Sequence, residues 1–99
     1  MGSMSLSRLT DREVMAELGA RLGALRRRRG FSVVAAAEGA GLSRRTVHRA
    51  ELGDNPTLLT LVRLLRLYGE IDGLAAFLRA PEVSPMALLE AERKRGRRG

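Results

Sequence analysis

The chain is poor in the residues that build many catalytic and metal sites. Among its 99 residues there is no cysteine and no tryptophan, and there is a single histidine. Without cysteine the protein can form neither disulfides nor thiolate zinc sites, and it has no thiol nucleophile. One histidine cannot supply a histidine-rich metal site. With one tyrosine and two phenylalanines, it also lacks an aromatic surface on which single-stranded nucleic acids stack. We therefore expect no metal, no cofactor and no enzymatic activity.

Long apolar runs are absent as well. No stretch approaches the roughly 18 apolar residues that a membrane-spanning helix needs. The amino end carries no signal-peptide hydrophobic region. These absences predict a cytoplasmic protein that does not bind membranes. Met1-Gly2-Ser3, ahead of Met4, is interpreted as the remnant of an expression tag. Residues 1–9 are accordingly expected to be tag and flexible amino terminus.

Positive charge is abundant but unevenly placed. Lysine and arginine number 18 against 11 aspartates and glutamates, for a net charge of +7. Five of the cations lie in residues 93–99, which leaves only +2 on the rest of the chain. Seventeen of the 18 are arginine, whose planar fork suits phosphate groups and guanine edges. The basic tail is open to three interpretations: a solvated or artefactual end, a nonspecific DNA arm, or a segment that binds a partner.

Capping residues and glycines divide the chain into short helices, and no segment alternates with the period of a strand. Thr10 with Glu13 forms a capping box. The predicted helices run from 11 to 28, from Ser32 to Gly41, from Ser43 to about Gly53, from Thr57 to Gly69 and from Asp72 to Pro81. A terminal helix should start at Ser84-Pro85, with fraying or disorder from Arg93 onward. The fold class is therefore predicted to be all-α, with five helices, a short carboxyl-terminal helix and a basic tail.

The stretch from Phe31 to Glu51 carries the functional signal. It reads as an alanine-rich helix, a glycine turn, and a second helix with polar residues on its outer side, which is the plan of a helix-turn-helix. At about 100° per residue, four side chains share one outward sector roughly 140° wide. These are Arg44, Arg45, His48 and Arg49. Val47 and Ala50 lie opposite, so this helix could pack on a core and enter a DNA major groove.

Residues 18–69 resemble the Cro/C1-type helix-turn-helix family, often called the XRE family. The matching positions are Leu22, Leu25 and Arg26, then Gly30-Phe31-Ser32, Ala37, Ala40 to Val47, Glu51, Gly53 and Asn55 to Leu58. The resemblance implies a compact five-helix domain that binds double-stranded DNA, usually as a homodimer on a palindromic operator. Two positions depart from the pattern. Val33 stands where many relatives have a glutamine that touches phosphate, and Leu52 stands where many have arginine or asparagine.

The resemblance also implies roles for particular positions. Arg44, Arg45, His48 and Arg49 fall where the family reads bases. Ser32 falls where phosphate contacts occur, and Arg26 with Glu51 falls at a pair that forms an ion bridge in relatives. Phosphate contacts are also expected from Arg26, Ser43 and Thr46, although Ser43 and Thr46 serve the helix first. The run of arginines at positions 26–29 is equally consistent with a phosphate clamp and with cations that stabilise a helix carboxyl end.

Apolar residues exceed what so small a domain can bury. In the fourth helix, Leu58, Leu61, Val62, Leu65 and Tyr68 are expected to face the core. Leu59, Leu64 and Leu67 lie outside that set. Further apolar residues follow at Ile71, Leu74, Phe77, Leu78, Met86, Leu88 and Leu89. This excess predicts a two-fold dimer through the fourth, fifth and terminal helices, unless the terminal helix folds back over its own core.

We thus expect a DNA-binding domain over residues 10–80 and a partner or dimer segment over residues 81–99. The main hypothesis is a homodimeric, sequence-specific transcriptional regulator that acts as a repressor. The alternative is an antitoxin that holds a toxin protein, such as a HipA-like kinase, through residues 81–99 and represses its own promoter.

Overall fold

The computed structural model describes residues 5–79 and 85–97, and this part of the chain is helical without any strand. A 3-10 turn at Leu6–Arg8 precedes the helices. The helices are α1 (Asp11–Arg28), α2 (Val33–Ala40), α3 (Arg44–Leu52), α4 (Leu58–Tyr68), α5 (Gly73–Phe77) and α6 (Pro85–Arg97). The all-α prediction is confirmed. No helix in the described ranges is both long and apolar enough to cross a membrane.

The first four helices begin where hydroxyl side chains can cap them. Thr10, Ser32, Ser43 and Thr57 each accept a hydrogen bond from the backbone N–H three residues ahead. At Thr10 the reciprocal bond from its own N–H to Glu13 completes a capping box. Such caps satisfy donors that a helix start leaves free. They explain why the predicted bounds of α1 to α4 agree with the structure.

The core lies where α1, α2, α3 and α4 meet. Tyr68, Leu64 and Val47 are its largest fully buried side chains. The buried residues of α2 are Ala36 and Ala37, and these small side chains let α3 and α4 pack closely against that helix. The core is consequently small, as expected for a short chain.

The predicted inner face of α4 was wrong in part. The buried residues of α4 are Thr60, Leu64 and Tyr68, whereas Leu58 is 78% exposed. Leu64 had been expected outside the core face. Apolar residues cover all of this helix except the side of Thr60, Arg63 and Arg66, so the apolar sector is wider than the surface that the core can cover. Packing against α2 and α3 decides which of them enters the core.

The chain ends of the described part also differ from expectation. The 3-10 turn at Leu6–Arg8 was not predicted, and α6 continues through the charge run to Arg97 where fraying had been expected. Arginine and lysine are good helix formers. Glu90 and Lys94 stand four positions apart, which favours a helix, and cations suit its carboxyl end. Helix α5 ends at Phe77, before the predicted break at Pro81, so the fifth helix is shorter than expected. Pro81 itself and the cap expected at Ser84 lie outside the described residues.

Helices α1 and α3 cross at two glycines. A β-carbon on Gly19 would lie 2.6 Å from the carbonyl oxygen of Glu51 and 2.7 Å from the backbone nitrogen of Gly53. Gly53 ends α3 with a positive φ of 76°, and a β-carbon there would collide with the backbone of Met15. Neither collision involves a flexible side chain. The spacing between α1 and the end of α3 therefore depends on glycine at both positions.

Replacing Gly19 by alanine should destabilise the protein by about 1–3 kcal/mol, the usual cost of overpacking. This would occur although alanine normally favours a helix interior over glycine. Gly73→Ala is the matched control, because nothing lies within 4 Å of its added β-carbon. The control should be neutral or more stable by about 0.4–1 kcal/mol. Urea unfolding of both variants checks this, and equal stability of the two would contradict the close approach.

Candidate nucleic-acid interface

The turn between α2 and α3 sets the angle at which α3 is presented. Gly41 takes a left-handed conformation with φ of 68°, which glycine adopts without strain. The N–H of Leu42 donates to the carbonyl of Ala37 at 2.8 Å, and the Leu42 side chain packs against the core. Ser43 then caps α3. The turn is thus held by its own hydrogen bonds and by an apolar anchor.

Helix α3 has one side in the core and one side in solvent. Val47 and Ala50 are 0% and 2% exposed. The four side chains predicted to read bases are all on the exposed surface. They are Arg44, Arg45, His48 and Arg49. Anchoring the inner side of a helix leaves its outer side free to project, as a recognition helix requires.

The hydroxyl residues expected at phosphates are engaged in local hydrogen bonds. The Ser43 hydroxyl accepts from the Thr46 N–H at 3.0 Å and lies 2.8 Å from the Thr46 hydroxyl. The Ser32 hydroxyl accepts from the Ala35 N–H at 3.0 Å. Both serines are exposed, and Thr46 is half-buried. The first role of the two serines is to cap helices, and the Ser32 hydroxyl, which only accepts here, still has its own hydrogen to donate.

Arg26 is buried and bonded inside the protein. Its Nε donates to Glu51 Oε2 at 2.7 Å and its Nη2 donates to Glu51 Oε1 at 3.1 Å. Its Nη1 donates to the carbonyl oxygen of Phe31 at 2.9 Å. The two ionic side chains are only 11% and 13% exposed. The hydrogen bonds to Glu51 raise the pKa of Arg26. This placement argues against the expected phosphate contact by Arg26, because the side chain is buried and each of its three nitrogens already donates a hydrogen bond inside the protein.

The neighbouring arginines of α1 differ in their surroundings. Arg29 Nη2 donates to Glu70 Oε1 at 2.6 Å, which ties the end of α1 to the segment after α4. Arg27 and Arg28 are exposed. Within the run from 26 to 29, Arg26 is therefore structural, Arg29 is bridged at the surface, and Arg27 and Arg28 remain accessible to a ligand.

Tyr68 lies in the core beside the buried ion pair. Its ring centroid is 5.7 Å from that of Phe31, with the planes tilted by 48°. Its hydroxyl oxygen is buried and has no hydrogen-bond partner among the described residues. Burial raises the pKa of Tyr68 to about 12, and the negative charge of Glu51 adds to that rise. The neutral phenol is the form that this site favours.

Two further side chains, those of Arg63 and Asp54, support α3 and its turn and were not predicted from the sequence. Arg63 of α4 donates through Nη1 to the carbonyl oxygen of Gly41 at 3.2 Å and so braces the turn. Arg49 Nε donates to Asp54 Oδ2 at 2.8 Å. Arg63 and Gly41 are 22 positions apart, and Asp54 lies beyond the end of its helix. Helical spacing carries no signal for either contact.

Several concave regions lie on the surface near these elements, and two of them differ in polarity. A polar one of about 170 Å³ lies between α3 and the start of α4. An apolar groove of about 320 Å³ lies between α1, α4 and α5. The apolar lining residues of the groove are Leu18, Leu22, Leu25, Leu61, Leu65, Leu74 and Phe77. The groove is an apolar surface of the kind that is covered in an assembly.

Comparison with known families agrees with this architecture. Residues 17–78 match the model of a helix-turn-helix domain family. The chain belongs to this helix-turn-helix family. The matched region spans α2, its turn and α3, together with the helices that support them. The family assignment identifies a DNA-binding domain in this part of the chain. Neither the comparison with curated proteins nor that with solved structures gives a match.

The buried hydroxyl of Tyr68 makes stability sensitive to alkaline pH. A folded-state pKa of about 12, against roughly 10 in an unfolded chain, means that folding favours the neutral phenol. That contribution is complete below pH 10 and is lost as the pH rises through about 12. We expect the unfolding free energy to fall over this interval in the native sequence and to fall less in Tyr68→Phe.

At neutral pH the same variant should be as stable as the native sequence or more stable, because it removes a buried hydroxyl without a partner. Denaturant titrations at several pH values measure both effects. An equal alkaline decline in the two proteins would show that Tyr68 is not its source.

Proposed function

We propose that this protein is a sequence-specific, homodimeric transcriptional regulator of the Cro/C1 kind that represses by occupying a palindromic operator. The observation that carries the proposal is the division of α3. Its inner residues, Val47 and Ala50, are buried, while its four cationic or polar residues project from the exposed side. The family assignment supplies the DNA-binding domain, and the side chains of α3 supply the chemistry for base recognition.

Base reading would come from the exposed side of α3. Arginine can donate two hydrogen bonds to O6 and N7 of guanine, which fits Arg44, Arg45 and Arg49. His48 can donate to a base edge or to a phosphate. Their positions within a helix capped at both ends favour a rigid presentation of these donors. The contact set is weighted toward guanine because three of the four side chains are arginines.

Phosphate contacts would position the domain on the duplex. The hydroxyls of Ser32, Ser43 and Thr46 lie at helix starts, where backbone N–H groups also favour anions. We assign the arginine contribution to Arg27 and Arg28, since Arg26 is used inside the protein. Val33 and Leu52 cannot donate hydrogen bonds from their side chains, and Leu52 is 61% exposed. Binding to the DNA phosphates would therefore depend more on side chains of α1 than it does in many relatives.

The dimer would form at the apolar groove between α1, α4 and α5. Leu18 is 43% exposed and Phe77 is 68% exposed at this site. Both values are high for large apolar side chains that line one groove. A second copy presents the same groove, as a two-fold interface requires. A two-fold dimer also matches the symmetry of a palindromic operator.

A second candidate is the antitoxin function, which one observation favours. The described side chains of α6, including Met86 and Leu89, are all exposed, at 68% and 49% for these two. An exposed helix with an apolar start and a basic end is suited to hold another protein. In this arrangement residues 10–80 bind DNA and residues 81–99 bind a toxin. Met86→Asp would then release the toxin and leave operator binding intact, whereas a lone repressor would show no such partner.

Selection of bound duplexes from a random pool tests the regulator hypothesis. The native protein should recover a motif made of two inverted half-sites, and Arg45→Ala should relax one base position in each half. The variant should also lose about 1–3 kcal/mol of operator-binding free energy. Arg66 is an exposed arginine in the last turn of α4, outside α3. Arg66→Ala is therefore the matched control and should leave the motif unchanged. Recovery of no motif by the native protein would refute sequence-specific regulation.

Light scattering coupled to size-exclusion chromatography tests the dimer. Phe77→Ser should shift the protein from dimer to monomer, because it places a polar group in the apolar groove. Val34→Ser changes an apolar side chain that is 45% exposed on α2, outside the groove, and should leave the dimer in place. If both variants and the native protein have the mass of a monomer, the groove is not a dimer interface.

A further inference from the structure

The ion pair between Arg49 and Asp54 joins the end of α3 to the loop that follows it. Arg49 Nε donates to Asp54 Oδ2 at 2.8 Å. The same two residues are also joined through the backbone, since the Asp54 N–H donates to the Arg49 carbonyl at 3.0 Å. Gly53, between them in the turn, is held against α1. Asp54 thus has a fixed place beside Arg49, although both side chains are about half exposed, at 50% and 55%.

This pairing leaves a particular end of the guanidinium free. The carboxylate of Asp54 takes the Nε–H side of the group. The two terminal nitrogens are not bonded to any described residue. These terminal nitrogens form a fork that can donate in parallel to O6 and N7 of guanine. A free arginine side chain has many rotamers, and holding it in one conformation lowers the entropy lost on binding.

The charge of Asp54 is otherwise unfavourable at this place. It lies on the polar concave surface between α3 and α4, together with Thr46, Asn55 and Thr57. A carboxylate beside a DNA-binding helix repels phosphates, so it does not serve the phosphate grip. The other exposed ion pairs, Arg21 with Glu17 and Arg29 with Glu70, involve no residue of α3. Among the described ion pairs, that of Asp54 alone holds one of the exposed α3 arginines.

We propose that Asp54 is a positioning residue that makes Arg49 select guanine at the base it contacts. Asp54 does not touch the base itself. It holds the guanidinium by its Nε–H so that the terminal fork faces the groove, and it disfavours other orientations in which Arg49 would bind a phosphate. This inference rests on the proposed function, because it assumes that α3 reads bases.

Duplex selection with a set of variants tests the proposal. The base position read by Arg49 is identified as the one whose guanine preference falls in Arg49→Ala, by roughly 5- to 150-fold if the pair is bidentate. At that same position, Asp54→Asn should lower the guanine preference by roughly two- to fivefold, the range of an exposed ion pair. Asp54→Glu, which keeps a carboxylate, should retain more of the preference than Asp54→Asn.

Two controls separate positioning from charge. Asp72→Asn removes one exposed carboxylate from the start of α5, where its side chain makes no capping bond, and should leave every base preference unchanged. In the double variant Arg49→Ala with Asp54→Asn, loss of Asp54 should have no further effect at the Arg49 position, because the residue it positions is gone.

Three results would overturn the inference. If Asp54→Asn raises affinity for all duplexes equally and changes no base preference, Asp54 acts only by repelling DNA. If Arg49→Ala changes no base preference while Arg45→Ala does, the regulator proposal stands and Arg49 does not read bases. If the native protein selects no motif, the proposed function fails together with this inference.

Discussion

The buried ion pair between Arg26 and Glu51 is the constraint on which the arrangement of the domain depends. It joins α1 to the last turn of α3, and the same guanidinium also holds the carbonyl of Phe31 just before α2. Breaking such a pair leaves a charge buried without a partner, which costs far more than an exposed pair does. One side chain therefore links α1, the end of α3 and the segment that leads into α2. The angle of α3 is a property of the free protein.

Because that angle is fixed, one side of α3 stays in the core and the other stays in solvent. Nine residues form the helix, and its ends are closed by the hydroxyl of Ser43 and by Gly53. Arg63 braces the preceding turn from α4. Because the scaffold is already ordered, docking on a duplex would require little rearrangement of the backbone, and the conformational entropy lost would fall mainly on exposed side chains. The ion pair of Arg49 reduces even that part for one of them.

Most features that depend on residues close together in sequence were predicted correctly, and most features that depend on contacts between different elements were not. The bounds of α1 to α4 and the exposed set on α3 depend on neighbours within one or two turns, so caps and helical periodicity predicted them. The buried face of α4 depends on which of many leucines meets α2 and α3, and the pattern in Leu58–Tyr68 does not encode that choice. The partners of Arg49 and Arg63 depend on loops and on residues distant in sequence, for which a single sequence carries no signal. The helical extent of α6 was underestimated because a charge run was taken as a sign of disorder.

The glycine contact between α1 and the end of α3 has a consequence for how such a protein can diversify. A β-carbon on Gly19 or on Gly53 would need space that the backbone of the opposite element already fills. Neither position can accept a side chain unless the two helices move apart, and moving them would also shift the loop that carries Asp54. Substitutions at these two glycines are therefore unfavourable, whereas the exposed side chains of α3 can be replaced without a steric clash in the scaffold. If α3 reads bases as proposed, a lineage can acquire new target sequences by exchanging the exposed side chains of α3 while its scaffold stays the same.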